Sequence, residues 1–205
     1  MRFIDWMRPA GLALALVLSA DALAQASATD VIEQARARAR QVEELKQILN
    51  DPDQNVRLAA FEAMVASDDP LMRELALDAG LASTDQVLRS IALRHAVLSL
   101  KQLNITLSVD ESAPKPVQEL STAYLTKSGN NYVLVMDPKT SDITRGTFNL
   151  PGNSTQTGNV SGLVVTFNYG SYTGELHLQD DNTLGGIINY SRGGAHRFKA
   201  TAPLR

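Results

Sequence analysis

The chain has 205 residues, of which 44% are hydrophobic and 20% charged, and its formal net charge is −3. It contains no cysteine, so disulfides and thiolate metal sites are excluded. The mild acidic excess provides no basic surface for nucleic acid or for an anionic membrane, and we expect neither partner.

The first 24 residues have the layout of a secretory signal peptide. Arg2 and Arg8 form a short basic head, residues 10–20 are mostly apolar, and Ala22-Leu23-Ala24 supplies small residues for cleavage. The apolar run is much shorter than the roughly 20 residues that cross a bilayer. We therefore expect a periplasmic or secreted protein with no membrane span after cleavage of residues 1–24, and the lack of disulfides is typical of a bacterial periplasm.

Glycine usage divides the remaining chain into two unlike regions. Of the 13 glycines, 11 lie at or after Gly129, whereas residues 27–103 contain only Gly80. The first region is rich in Ala, Leu, Arg and Glu, and the second holds strand-forming and turn-forming residues. The predicted organisation is a helical region over residues 25–103, a linker with a candidate first strand over residues 104–116, and an antiparallel β region over residues 117–205.

A 16-residue pattern occurs three times in the helical region. Its aligned columns hold Asp53, Asp69 and Asp85, then Arg57, Arg73 and Arg89, then Ala60, Ala76 and Ala92. Each copy predicts one helix and a tight turn, with the aspartate as N-cap. The alanine column predicts a seam of close helix packing. Each arginine is predicted to fold back on the aspartate four residues earlier, an exposed pair worth about 0.3 to 0.5 kcal/mol, which gives the arginines a structural role.

One copy of this pattern also resembles a known repeat family. Asp51-Pro52, Val56-Arg57, Ala60 and Ala63-Met64 resemble the core of short HEAT repeats, and the segment from Asp69 to Ala76 repeats part of it. The resemblance spans about residues 51–100. It implies helical hairpins stacked into a short solenoid that serves as a binding surface for other proteins. The signature falls here in successive helices, whereas the family carries it in alternate ones.

A leading helix is predicted before the first repeat, over about residues 30–49. Its apolar residues follow the helical period and form one stripe, namely Ile32, Ala35, Ala39, Val42, Leu45 and Leu49. We expect this stripe to cover the open end of the stack, which brings the number of helices to about four.

Alternating apolar and polar residues predict antiparallel strands in the second region. Leu163, Val165, Phe167 and Tyr169 alternate with polar neighbours, as do Tyr172, Leu176 and Leu178. Glycine, asparagine and aspartate clusters separate such segments, and about seven strands follow, beginning near Ile105. The predicted fold class is α+β, a short HEAT-like α-solenoid followed by an antiparallel β meander that closes as a half-barrel or small sandwich.

The sequence contains no motif that identifies a reaction, so we predict no catalytic residue, no cofactor and no metal site. Two weaker sets of residues remain. Tyr169, Tyr172 and Tyr190 could line a ligand pocket or stack on a sugar, although core filling is the simpler interpretation. His177 with the turn at residues 180–182 could hold calcium, although an ordinary turn is favoured.

Three functional classes remain open. The favoured hypothesis is an exported, non-enzymatic interaction or scaffold module that binds a protein of the cell envelope through its HEAT-like surface. The alternatives are small-ligand or carbohydrate binding by the β region, and a hydrolase whose site is assembled from distant residues. The sequence leaves the oligomeric state undetermined.

Overall fold

The computed structural model describes residues 18–152 and 156–204, and it has helices followed by one antiparallel sheet. The sheet curls into a half-barrel, which confirms the predicted α+β class. Residues 1–17 of the predicted signal peptide lie outside the described part of the chain. No helix in the described part is long and apolar enough to span a membrane.

The described part of the chain divides into two units, with the boundary between Leu45 and Lys46. Helix α1 (Leu18–Leu49) contains the end of the first unit and the beginning of the second. Ile32, from the predicted apolar stripe, is exposed, and Leu49 is buried. The expected covering of the stack by this stripe stays a prediction.

The three repeats form three helices whose first residues are 16 positions apart. They are α2 (Gln54–Val65), α3 (Pro70–Leu81) and α4 (Gln86–Leu98). Asp53, Asp69 and Asp85 are their N-caps, and each side chain accepts a hydrogen bond from the amide two residues later. The predicted caps are therefore confirmed, because this bond satisfies an amide that the helix itself leaves free.

Small residues allow the three helices to pack closely. Ala76 and Ala92 are fully buried and Ala60 is half-buried. A Cβ at Gly80 would lie 2.6 Å from the Cβ of Ala92 and 2.8 Å from the ring of Phe61. Glycine therefore occurs in α3 because a larger side chain has no space there, despite its poor helix propensity.

The sheet has eight strands in the order β2-β1-β8-β7-β6-β5-β4-β3, and all pairs are antiparallel. The strands are β1 (Gln102–Val109), β2 (Asn131–Val135), β3 (Thr147–Asn149), β4 (Thr157–Ser161), β5 (Val164–Tyr169), β6 (Tyr172–Leu178), β7 (Thr183–Tyr190) and β8 (His196–Pro203). From β3 to β8 the sheet is a simple meander. It then continues through β1, the first strand in the chain, so the chain enters the sheet at an interior position.

Helix α5 (Lys115–Ser128) separates β1 from β2 and was not predicted from the sequence. The prolines that suggested a linker lie at its start, with Pro114 as the N-cap and Pro116 in the first turn. Proline is tolerated there because the first amides of a helix have no helical partner. The Tyr124 ring of α5 lies 5.3 Å from the ring of Phe198 in β8, so this helix covers part of the inner face of the sheet.

A row of alternating rings and glycines crosses the inner face of the half-barrel. The register places Gly158 between Phe148 and Phe167, and Gly174 on the other side of Phe167. A Cβ at either glycine would lie inside the neighbouring ring. The aromatic rings therefore cover glycine backbone, a combination that allows strong curvature in a sheet.

Candidate functional site

The repeat arginines donate to backbone carbonyls at the turns that precede their own helices. Arg57 donates to Asp51 O at 2.6 Å, and Arg73 donates to Ser67 O at 2.7 Å. Arg89 donates to Leu81 O at 3.0 Å, within the last turn of α3. These bonds satisfy carbonyls that the helices and turns leave free, so the arginines stabilise the connections between repeats.

The carboxylate partner of Arg57 is Asp85, whereas the predicted partner was Asp53. The Arg57 Nη2 atom lies 2.5 Å from Asp85 Oδ2, and Gln54 donates to the same carboxylate at 3.0 Å. The hydrogen bond from Arg57 lowers the pKa of Asp85 to about 2. The pair therefore joins the first turn of α2 to the N-cap of α4, two repeats further along the chain.

The sheet supplies the corresponding partner for the last repeat. Arg89 donates to Gln179 O at 2.7 Å and lies 3.6 Å from a carboxylate oxygen of Asp180, in the turn between β6 and β7. Ser90 donates to Gly162 O at 3.1 Å in the turn between β4 and β5. Two turns of the sheet thus contact α4 through Arg89 and Ser90.

Replacing Asp85 by asparagine should lower the free energy of unfolding by about 1–2 kcal/mol at neutral pH. Asparagine still caps the helix, so the loss reports the ion pair with Arg57. Because the folded pKa of Asp85 is below its unfolded value near 3.8, the stabilisation is present above that pH and disappears as the pH falls toward 2.

The matched control is Asp53→Asn, which changes an N-cap whose carboxylate is not the partner of Arg57. We expect it to cost less than about 0.5 kcal/mol. Urea unfolding curves between neutral pH and pH 3 should show the difference between the two variants shrinking with acidity. Equal effects of the two substitutions at neutral pH would show that the ion pair contributes no stability.

An apolar groove of 330 Å³ lies where α2 and α4 end and α3 begins. Its apolar lining consists of Val65, Leu77, Leu98, Pro138 and Ile143. Arg73 and His95 add two polar side chains. Burial, followed by the charge of Arg94, lowers the pKa of His95, so its imidazole is neutral near neutral pH. Arg73 is therefore the cationic side chain of this lining.

The outer wall of the groove is held by Arg94 of α4. Its guanidinium donates to Ile143 O at 3.3 Å and to Thr144 O at 3.1 Å. These hydrogen bonds attach the wall, which includes Pro138 and Ile143, to α4. Sequence reasoning missed the groove because residues 138–143 are about 45 positions from His95 and share no motif with the repeats.

A second depression, of 770 Å³, lies at the opposite end of the stack, where α2 and α4 begin. Its lining includes Asn50, Gln54, Arg57, Ser83 and Asp85. Arg57 and Asp85 are bonded to one another there, so their charges are already compensated. This depression is polar and the 330 Å³ groove is apolar.

The structure brings the predicted tyrosines together and adds two others. The ring centroids of Tyr172 and Tyr190 are 4.5 Å apart, and Tyr132 of β2 lies 4.5 Å from Tyr172. The hydroxyl groups of Tyr124 and Tyr172 are 2.5 Å apart. Desolvation raises the pKa of both Tyr132 and Tyr172, so these phenols are neutral.

Tyr169 precedes the turn into β6 and pairs with Tyr172 in the register. Tyr132 and Tyr124 could not be assigned to this cluster from the sequence, because curvature of the sheet and helix α5 place them there. The cluster packs ring against ring, as expected for core filling at one end of the half-barrel.

His177 lies on the other face of the sheet from these tyrosines. It alternates with the buried side chains of β6 and is exposed, with its Nε2 atom 3.0 Å from a carboxylate oxygen of Glu175. Asp181 accepts hydrogen bonds from the amide and hydroxyl of Thr183, which is the ordinary turn favoured by the sequence. The described residues contain no group of three side chains suited to binding a metal ion.

Comparisons with protein-family models, curated proteins and solved structures found no match. Function is therefore inferred from the sequence and the structure of this chain alone.

Proposed function

We propose that the protein is an exported, non-enzymatic interaction module, periplasmic or secreted, that binds a protein of the cell envelope through its HEAT-like helical surface. The binding site is the apolar groove between the ends of α2 and α4 and residues 138–143. The sequence pattern of residues 1–24 supports export, and the groove supports binding.

The composition of this groove is the main support for the proposal. Five apolar side chains line it, and Ile143 at its edge is 46% exposed. Concave apolar surfaces beside polar side chains are typical sites for the apolar anchors of a partner. The guanidinium of Arg73 favours a partner segment that carries a carboxylate next to its apolar side chain.

The inner face of the half-barrel supports a ligand site less well. Leu176, Ile188 and Phe198 on this face are buried, and α5 lies against its tyrosine end. These side chains therefore offer little exposed surface to a ligand. The groove on the helices, by contrast, is open and its walls are held by hydrogen bonds of Arg94.

Site-specific photo-crosslinking tests the proposal. A photoreactive residue replaces Ile143 in the full-length chain, which is expressed with a C-terminal tag in a bacterial host. We expect one predominant adduct from the exported fraction, on a protein whose mass is the same in repeated experiments. The recovered chain should lack residues 1–24, and therefore Trp6, the only tryptophan of the sequence.

Thr166, exposed on the outer face of the sheet, is the control position for the photoreactive residue. Arg73→Glu should reduce the adduct at least fivefold, whereas Arg192→Glu, on an exposed arginine outside the groove lining, should leave it unchanged. Equal labelling from positions 143 and 166 would contradict binding at the groove. Retention of residues 1–24 in the exported fraction would contradict cleavage.

A further inference from the structure

We propose that two copies of this chain associate through β2, so that the two half-barrel sheets continue into one another across a two-fold axis. The proposal concerns the edge of the sheet and is independent of the groove on the helices.

The hydrogen bonds between β1 and β2 define which backbone groups face the edge. In an antiparallel pair, alternate residues bond to the partner strand and the residues between them point away. The Met136 amide donates to Lys101 O at 2.8 Å, and the Leu107 amide donates to Asn130 O at 2.7 Å, one at each end of this pair. The even-numbered residues of β2 therefore bond to β1, and the odd-numbered residues face the open edge.

The odd-numbered residues of β2 are Asn131, Val133 and Val135. Their side chains are exposed on the outer face, with Val133 at 38% and Val135 at 45%. β2 contains no charged residue and no proline, two of the features with which proteins protect a free edge. Unpaired backbone groups and exposed apolar side chains thus coincide in one uncharged strand.

The opposite edge of the sheet, at β3, is different. Thr147 exchanges two backbone hydrogen bonds with Asp142, at 2.8 Å and 3.1 Å, and this contact covers the edge at that residue. The strand has only three residues, a length that leaves little room for pairing. Within the described residues, β2 is therefore the edge better suited to an added strand.

The sequence of β2 makes a second copy the partner. An antiparallel pair centred on Val133 places this residue opposite itself and places Asn131 opposite Val135 of the second copy. Such an isologous arrangement forms roughly six backbone hydrogen bonds. A charged residue at position 133 would lie directly opposite its own copy, but this residue is valine and β2 contains no charged residue. Because the contact is small, we expect a weak dimer that depends on concentration.

Cysteine crosslinking tests the register directly, because the natural chain contains no cysteine. In the proposed pair, the two Cα atoms of Val133 lie about 5.5 Å apart, a distance that a disulfide spans. The two Cα atoms of Val135 lie about 14 Å apart. At about 100 µM, a concentration suited to weak dimers, oxidised Val133→Cys should form at least tenfold more covalent dimer than Val135→Cys.

Val133→Lys provides a second test, since it places two ammonium groups opposite each other at the axis. The mass of the natural chain in sedimentation should rise with concentration toward that of a dimer, and Val133→Lys should stay monomeric with unchanged circular dichroism. Asn149→Lys, at the other edge, should behave like the natural chain. Equal crosslinking of the two cysteine variants, no crosslinking of either, or a concentration-independent monomer mass would overturn the proposal.

Discussion

Replacing Gly80 by valine should lower the free energy of unfolding by about 3 kcal/mol. The new side chain would overlap the Cβ of Ala92 and the ring of Phe61, both of which are fully buried and cannot move toward solvent. Valine has a better helix propensity than glycine by about 0.4 kcal/mol. Propensity alone therefore predicts that the substitution slightly raises the free energy of unfolding. The measurement is urea unfolding followed by far-UV circular dichroism.

Ala63→Val, at an exposed position of α2, is the control for β-branching in a helix and should cost less than about 1 kcal/mol. If Gly80→Val is no more destabilising than this control, α3 does not pack against α4 and Phe61 as closely as the structure shows.

Replacing Phe198 by alanine should cost about 3–5 kcal/mol. Its ring is fully buried, pairs with Ile188 across β7 and β8, and lies 5.3 Å from the ring of Tyr124. Removing it leaves a cavity between the sheet and α5, which rigid neighbouring strands cannot close. Lys199→Ala, the next residue on the exposed outer face, should change stability by less than about 0.5 kcal/mol. Similar losses for the two variants would show that the inner face is not a packed core.

Gly80→Val and Phe198→Ala together test whether helices and sheet unfold as one unit. All five tyrosines lie at or after Tyr124, so near-UV circular dichroism reports on the sheet and α5, while far-UV signals include α2 to α4. Because α4 bonds to turns of the sheet through Arg89 and Ser90, we expect both signals to shift together in both variants. A shift of the far-UV curve alone in Gly80→Val would instead support an independent helical region.

The tyrosine cluster shows why a set of site residues can be recognised only in part from sequence. Tyr172 and Tyr190 are opposite each other in adjacent strands, and a β-hairpin with strict alternation predicts such pairs. Tyr132 joins them because β2 and β6, four places apart in the strand order, meet when the sheet curls. Curvature depends on glycine and aromatic residues in many strands, so no local pattern predicts this contact.

The sequence by itself determined the features that depend on neighbouring residues. The N-caps at Asp53, Asp69 and Asp85 follow from hydrogen bonds over two residues, and the inner and outer faces of β5 and β6 follow from alternation. Only the tertiary structure decided that Arg57 pairs with Asp85 and that residues 138–143 complete the groove. These contacts join residues 28 or more positions apart, and their partners are selected by the packing of whole helices and strands, which the local chemistry of either partner does not encode.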